Sequence, residues 1–300
     1  MKSGLVSEVI GVALAGVAVT VADAAPKSNV ALKSNRVSIE YVLPKNFAHQ
    51  QIFEYVKEKR VLEKMQEFLS PFRLPQTLKI SARGCDGEAD AFYGNGVITI
   101  CYEYLDELWK TVPAETTSLG LAPIDTALGP LYDTALHEFA HALFEMLKIP
   151  ELGREEDAAD QVAAYIYLQL GQTEARRLIS GAVYAFKLDA ERGPATPPLQ
   201  SFADEHSTPA QRAYNLLCIA YGADPKLFDD IRTKGYLPEK RLDGCEEEYE
   251  RVQDAFEKLI TPHIDSAVAK KVLNKSWLPA PTTRVKHRSS LPAAIPSPPR

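Results

Sequence analysis

The stretch "TALHEFAHALFEMLKIPELGREEDAADQ", Thr134 to Gln161, decides which fold and which site this chain can build. It holds two histidines, His137 and His141, one helical turn apart, with Glu138 directly after the first. Residues at positions i and i+4 share one face of a helix, so both imidazoles can bind one ion. Glu138 lies on the flank of that face, where it can reach a metal-bound water. The alternative is a helix with two half-exposed histidines and no metal.

A catalytic zinc ion keeps three protein ligands and one open position, so a third ligand is needed. The candidates are the four acids that follow a short break, namely Glu155, Glu156, Asp157 and Asp160. Acids in a first helical turn also complement the helix dipole, which accounts for the first three without a metal. That account leaves out Asp160, which lies on the face of Glu156 one turn later. We therefore predict Glu156 as the third ligand and Asp160 as a carboxylate that orients a ligating histidine.

The sequence before the Thr134–Gln161 stretch predicts strands. Strands are predicted over Val37–Pro44 and Thr77–Gly84, and a hairpin that turns at Asn95-Gly96 leads into a strand over Val97–Glu103. We expect Val97–Glu103 to be either an ordinary core strand or an edge strand to which a peptide can add by main-chain hydrogen bonds.

Helices follow the strands. The metal helix is predicted to begin at Gly129-Pro130, because proline is tolerated at the first helical position, and to end near Lys148 before Pro150. Further helices are predicted over Glu156–Leu170, Thr173–Asp189, Thr208–Tyr221 and Cys245–Ile260. This order predicts an α+β fold, with a small N-terminal mixed sheet followed by a mostly helical part.

The two ends of the chain differ from its middle. Lys2, an apolar run over residues 9–22 and the small residues Ala22-Asp23-Ala24 predict a signal peptide over residues 1–24, with an uncleaved anchor as the alternative. The mature chain is then expected to be secreted or periplasmic, without a stable membrane span. Residues 271–300 hold six Lys or Arg, six Pro and no acid, which predicts a flexible basic tail. The folded domain is expected over residues 36–265.

Charge and cysteine content narrow the class further. A net charge of -6 argues against a nucleic-acid partner. Four cysteines allow three disulfide connectivities, and we favour Cys85–Cys101 with Cys218–Cys245, because each pair closes a local loop. Buried free thiols are the alternative if the protein is cytosolic. No oligomeric state follows from the sequence.

Several motifs together resemble known zinc peptidases. HEFAH, followed by Glu156 and Asp160 in E-x-x-A-D spacing, looks like the gluzincin signature, and its form is closest to the HtpX and CAAX-prenyl-protease group. The segment "HSTPAQR" resembles that group's H-P-x-x-x-x-R motif in His206 and Arg212, whereas Ser207 stands where the group has Pro. Those relatives span membranes several times, and this chain has no such spans. The best overall match is a bacterial family of secreted proteins classed as metallopeptidases, which covers about Val37 to Ile260.

The resemblance implies a zincin-like peptidase domain, one zinc ion and the favoured cysteine pairing, but no established substrate. Glu138 is then the general base for hydrolysis of a peptide or protein. His206 is either an oxyanion donor or a structural residue, and Arg212 pairs with Asp160 or Asp204. Two other functions stay open. One is a secreted binding or scaffold domain without turnover, and the other is a zinc amidase that acts on cell-wall peptides.

Overall fold

The computed structural model describes residues 36–284, which combine one small sheet with eleven α-helices. The predicted signal peptide and residues 285–300 of the predicted tail lie outside the described residues. Two helices lie between the first and second strands, and all the other helices follow the last strand, so the fold class is α+β, as predicted.

The sheet has four strands, and all of them precede the metal-site residues in the chain. They are β1 (Val37–Tyr41), β2 (Leu78–Arg83), β3 (Ala91–Gly94) and β4 (Val97–Cys101). Their order across the sheet is β1-β2-β4-β3. The β1–β2 and β2–β4 pairs are parallel, and β3 is antiparallel to β4. The sheet is therefore mixed, as predicted, with β1 and β3 at its edges.

The predicted strand over Val97–Glu103 is two residues too long, and of its two predicted settings, a core strand and an edge strand, the structure shows the first. It ends at Cys101, and Tyr102 begins helix α3 (Tyr102–Thr111). β4 pairs with β2 on one side and with β3 on the other, so it has no free main-chain groups for a peptide. The open edge beside the metal-site helix belongs to β3. Strand order depends on pairing between distant residues, which local periodicity does not report.

The helices form most of the remaining described chain. In chain order they are α1 (Gln50–Glu58), α2 (Val61–Phe68), α3, α4 (Pro123–Leu147), α5 (Glu155–Leu168), α6 (Gln172–Arg192), α7 (Pro209–Ala223), α8 (Asp229–Thr233), α9 (Glu239–Leu242), α10 (Cys245–Leu259) and α11 (Ser266–Leu273). No helix among residues 36–284 is long and apolar enough to cross a membrane.

Helix α4, which carries the HExxH residues, begins at Pro123 and not at Gly129. Pro123 takes the first helical position, and Pro130 sits inside the helix, where its missing N–H leaves one carbonyl without a helical partner. The prediction assigned the first helical position to Pro130, whereas Pro123 occupies it. Lys148, with a φ of 54°, ends the helix in a left-handed conformation.

Helices α4 and α6 approach so closely that their backbones are in contact. A Cβ atom on Gly129 would lie 2.5 Å from the backbone of Gly181 and Ala182 on α6. A Cβ atom on Gly181 would collide with the carbonyl oxygen of Asp125 on α4. Only glycine permits this crossing, because real Cβ atoms do not come within 3.0 Å of backbone. The crossing places α6 directly beside the metal-site helix.

The predicted flexible tail does not apply to residues 271–284. Helix α11 continues to Leu273, and both Trp277 and Leu278 are 7% exposed. Their backbone N–H groups donate to Glu174 on α6 at 2.7 and 3.0 Å, and Trp277 packs edge-on against Phe68. The folded unit therefore extends beyond the predicted boundary at residue 265. The charge and proline content of the segment does not show that Trp277 and Leu278 pack against residues distant in the chain.

Both predicted disulfides are present. Cys85–Cys101 joins the loop after β2 to the end of β4, with the Cα atoms 5.5 Å apart. Cys218–Cys245 joins α7 to the first residue of α10, with the Cα atoms 5.0 Å apart. None of the four cysteines is free. Two disulfides fit an extracellular protein, because reducing compartments keep cysteine thiols reduced.

Candidate metal centre

The two HExxH histidines meet on the buried face of α4. His137 is 3% exposed, and its Nε2 atom lies 3.1 Å from the Nε2 atom of His141. The ring planes are nearly perpendicular, at 78°. The i, i+4 spacing therefore directs both Nε2 atoms at one point, as the motif predicts.

Glu156 brings a carboxylate oxygen to the same point from α5. Its Oε2 atom lies 2.9 Å from His137 Nε2 and 3.4 Å from His141 Nε2. The break between the helices makes this possible, because α4 ends at Lys148 and α5 packs back against it from residue 155. Of the four acids in the cluster, Glu156 alone faces both Nε2 atoms.

A carboxylate holds the second ring nitrogen of each histidine. Asp160 Oδ1 lies 2.8 Å from His137 Nδ1, as predicted for the acid one turn after Glu156. Glu155 Oε1 lies 2.8 Å from His141 Nδ1, a role that the sequence did not indicate. Such contacts fix the ring orientation and leave Nε2 free for a metal. The position of Glu155 in the first turn of α5 is also explained by the helix dipole, so no separate sequence signal indicates this contact.

Arg212 of α7 fixes Asp160 from behind. Its Nε and Nη2 atoms donate to the two carboxylate oxygens at 2.8 and 2.6 Å, and its guanidinium lies over the Phe186 ring at 4.5 Å. Of the two predicted partners, Asp160 and Asp204, the structure selects Asp160. A planar two-point contact leaves a carboxylate little freedom to rotate. The position of His137 is therefore set by a chain of three residues.

The facing nitrogen and oxygen atoms of His137, His141 and Glu156 are stabilised by a positive charge, either a proton or a metal ion, placed between them. Burial works against a charge on His137, yet its hydrogen bonds to Asp160 and Glu156 raise the pKa of His137 to about 9. Hydrogen bonds from His137, His141 and His206 hold the pKa of Glu156 well below its usual range. Without a metal the site therefore attracts protons. A divalent cation answers the same demand.

The donor set fits a metal ion. A tetrahedral ion with bonds of about 2.0–2.2 Å has its ligand atoms about 3.3–3.6 Å apart. The three separations between the facing atoms of His137, His141 and Glu156 are 2.9, 3.1 and 3.4 Å, close to that range. Two imidazoles and one carboxylate leave one of the four positions open. These are the residues that could hold the ion.

Comparison with known families agrees with this geometry. The profile of a family described as "Putative metallopeptidase" (DUF4344) matches residues 41–260, which include every residue of the metal centre. The chain belongs to this family. No curated protein and no solved structure gives a significant match. Membership of DUF4344 implies a metal and a peptidase, while the zincin likeness of the fold stays a prediction.

Glu138 is a buried carboxylate beside the two histidines of α4. It is 7% exposed and follows the first histidine on α4. Burial raises the pKa of Glu138, while the neighbouring charges of His137 and His141 and a hydrogen bond from the backbone N–H of Tyr93 lower it. The N–H of Tyr93 therefore points from β3 toward the carboxylate. The open sheet edge of β3 and the Glu138 carboxylate are therefore adjacent.

His206 lies at the same centre but is more accessible. Its Nε2 atom is 2.8 Å from Glu156 Oε2, and its ring stacks on His137 with centroids 5.7 Å apart. His137, Glu156 and His206 also offer three ligand atoms within 4.8 Å of one another. We favour His141 as the third ligand, because it lies within 3.4 Å of both other donor atoms and a carboxylate orients its ring. The His206 side chain is 46% exposed, which leaves it free to meet a substrate.

An open cleft leads to the metal centre. It has a volume of about 590 Å³ and is lined by β3, α3, α4, α5, α6 and the His206 loop. Its lining includes the strand residues Ala91, Phe92 and Tyr93 and, from α6, Ala182 and Phe186. His137 and Glu138 line the same cleft, so they are accessible from it.

A buried acid next to the centre was not predicted. Asp133, one turn before His137, is 5% exposed and accepts a hydrogen bond from Tyr167 at 2.9 Å. Burial and the nearby charge of Asp160 raise the pKa of Asp133 to about 6. An apolar helix face with one acid is the signal that could have found it, since such an acid needs a partner.

Proposed function

We propose that this DUF4344 protein is an exported, zinc-dependent peptidase that hydrolyses peptide bonds with Glu138 as general base. One observation carries the proposal. The facing atoms of His137, His141 and Glu156 lie 2.9 to 3.4 Å apart, with the buried Glu138 carboxylate beside them in an open cleft. A nucleophilic side chain is not needed for this chemistry, because water attacks the peptide carbonyl.

His137, His141 and Glu156 are the proposed zinc ligands. Nitrogen and carboxylate donors in a four-position set suit zinc, although other divalent ions accept the same donors. When bound, zinc supplies Lewis-acid polarisation of the carbonyl and acidifies the attacking water. Asp160 and Glu155 orient the two imidazoles through Nδ1, so the ligand nitrogens need no reorganisation when an ion arrives.

Glu138 moves the proton in the proposed reaction. Its carboxylate takes a proton from the attacking water and returns it to the leaving amine as the C–N bond breaks. Burial raises the pKa of Glu138, which makes the carboxylate a stronger base than an exposed one. The N–H of Tyr93 limits its rotation. The carboxylate therefore stays aimed into the cleft.

His206 is the proposed donor to the oxyanion. Its hydrogen bond to Glu156 raises the pKa of His206, which favours the protonated ring that can donate. A donor positioned before the reaction stabilises the negative charge that develops on the carbonyl oxygen. Its half-exposed side chain and its 2.8 Å contact with Glu156 place it at the edge of the centre. Arg212 acts at a distance, through Asp160.

The substrate is proposed to lie along β3. This strand pairs with β4 on one side, and its other side faces the cleft, where the N–H of Tyr93 meets Glu138. An extended peptide can add to such an edge by main-chain hydrogen bonds, with little dependence on side-chain identity. The peptide-binding edge, which the sequence left as one alternative for β4, is thus proposed for β3. A peptide on this edge passes directly over the base.

Export is proposed from two features. Both disulfides form in the structure, and the sequence predicts a signal peptide over residues 1–24. The mature protein is then secreted or periplasmic. Expression with residues 1–24 followed by N-terminal sequencing of the exported protein tests this, and a retained leader in the membrane fraction would contradict it.

The decisive experiment combines metal analysis with a peptide-library assay. The purified protein is expected to hold about one zinc per chain and to cleave library peptides. Glu138→Gln should keep the zinc and lose roughly 10²–10⁴-fold in kcat, the range for a general base. Glu250→Gln, at an exposed position of α10 outside the residues that line the cleft, is the matched control and should behave like the wild type.

Each other result rejects the proposal in a distinct way. Zinc without cleavage of peptides or cell-wall muropeptides indicates a binding or scaffold domain. Cleavage of muropeptides alone indicates an amidase. Unchanged cleavage by Glu138→Gln removes the assigned base, and a protein that binds no divalent ion removes the centre.

A further inference from the structure

A clamp beside the metal centre holds the loop that carries His206. Residues 202–206 are exposed, but the next residue, Ser207, is only 8% exposed. Its hydroxyl donates to Asp157 Oδ1 at 2.7 Å. Asp157 directly follows Glu156 on α5, so the turn that supplies the carboxylate ligand also holds this loop. A buried hydroxyl with a charged acceptor is a strong local restraint.

Arg154 completes the clamp. Its Nη2 atom donates to the backbone carbonyl of Asp204 at 2.5 Å, and its Nη1 atom lies 3.4 Å from the Ser207 hydroxyl. The Asp204 carboxylate accepts the backbone N–H of His206 at 2.9 Å. Asp204 and Ser207, on either side of His206, are therefore hydrogen-bonded to the start of α5. Asp204 also accepts the backbone N–H of His206.

The His206 ring itself has little packing to hold it. Its side chain is 46% exposed, and its ring contacts are the stack on His137 and the charges of Glu156 and Asp204. The backbone position must therefore come from its neighbours. In the motif that this segment resembles, the next residue is Pro, which restricts the backbone by its ring. Here a side-chain hydrogen bond takes that place.

We propose that Ser207 is a positioning residue, which aligns the His206 imidazole with the metal centre through its hydrogen bond to Asp157. The proposal rests on the catalytic role assigned to His206 above. Ser207 does not touch the substrate and is not a ligand. It acts by keeping the His206 loop in register with the first turn of α5, so a small displacement of the loop misplaces the donor.

The test is a double-mutant cycle with the full-length zinc-loaded protein. Ser207→Ala is expected to lower kcat about 10-fold with little change in KM, because misplacement of a catalytic group affects the transition state most. In a His206→Ala background the same change should alter kcat less than 2-fold. Ser207→Thr, which keeps the hydroxyl, should restore most of the rate. Ser201→Ala in the same loop is the control.

A spectroscopic readout separates this proposal from the proposed function. In NMR spectra of the protein with isotope-labelled histidine, Ser207→Ala should shift the ring resonances of His206 and leave those of His141 unchanged. This measurement is informative even if no peptide is cleaved. An equal effect of Ser207→Ala with and without His206, or an unmoved His206 signal in a folded variant, overturns the clamp. Loss of activity in Ser207→Thr equal to that of Ser207→Ala does so too.

Discussion

Two imidazole–carboxylate pairs stand side by side in the metal centre, and they are built differently. His137 and Asp160 have side chains that are 4% and 22% exposed, and Arg212 grips the carboxylate at two points. His141 and Glu155 are joined at the same distance of 2.8 Å, but Glu155 is 53% exposed and has no such support. Equal hydrogen-bond lengths therefore hide unequal restraint. The buried pair is part of the framework, while water can replace the exposed acid.

The largest expected difference is in stability. Asp160→Ala leaves the Arg212 guanidinium, 19% exposed, without its carboxylate, and should cost about 3 kcal/mol of unfolding free energy. Glu155→Ala should change it by less than about 0.5 kcal/mol, as at other exposed pairs. Urea unfolding of the metal-free proteins measures both. Equal losses would show that burial does not separate the two pairs.

A second prediction concerns pH in the metal-free protein. The pKa of His137 is raised in the folded state to about 9, so its protonation stabilises the fold below about pH 6.5. That contribution is lost as the pH rises from about 6.5 through 9, and its size is on the order of 2–3 kcal/mol. Urea midpoints across this range should fall.

The zinc-loaded protein should show the opposite slope over the same range, because the ligands must lose protons before they bind metal. His137→Gln without metal is the control and should lose most of the fall. A flat profile for the metal-free wild type would mean that His137 is not held by Asp160 and Glu156 as described.

Metal affinity should rank the two orienting acids. Asp160→Asn is expected to weaken zinc binding about 10–100-fold, the usual effect of losing an orienting carboxylate. Glu155→Gln should weaken it less than about 3-fold, since water can take over the contact with His141 Nδ1. Competition with a chromophoric chelator measures both constants. A reversed order would mean that exposure is a poor guide to restraint at this centre.

The smallest expected effect comes from Arg212→Lys. Lysine keeps the positive charge but contacts one carboxylate oxygen instead of two and loses the stacking on Phe186. Zinc affinity should fall a few-fold, between the wild type and Asp160→Asn. Chelator competition with all three proteins in parallel decides the order. Wild-type affinity in this variant would show that charge alone holds Asp160.

The parts of this centre that follow from local spacing could be predicted. His137 and His141 share a helix face by their i, i+4 positions, and Asp160 falls one turn after Glu156. Glu155 could not be separated from acids that simply complement the helix dipole, because its partner lies 14 positions earlier. The Arg212 partner stayed open between two acids until α5 and α7 were placed together.

The parts of the fold that stayed open or were wrongly predicted depend on distant contacts. The setting of β4 stayed open between a core strand and an edge strand, because its pairing with β2 and β3 cannot be read from its own alternation. Trp277 was assigned to a flexible tail because Glu174, which accepts its N–H, lies 103 residues away. The composition of a segment does not report the distant residues against which it packs, and these are seen only in the folded chain.

The contact between Gly129 and Gly181 has a consequence for the width of the cleft. These residues face each other between the two helices, and they set how near α6 can come to α4. Because Ala182 and Phe186 on α6 line the cleft, a methyl group at either glycine, for which the facing backbone leaves no room, would move these side chains relative to α4. The width of the cleft thus depends on two glycine positions that are not among its lining residues.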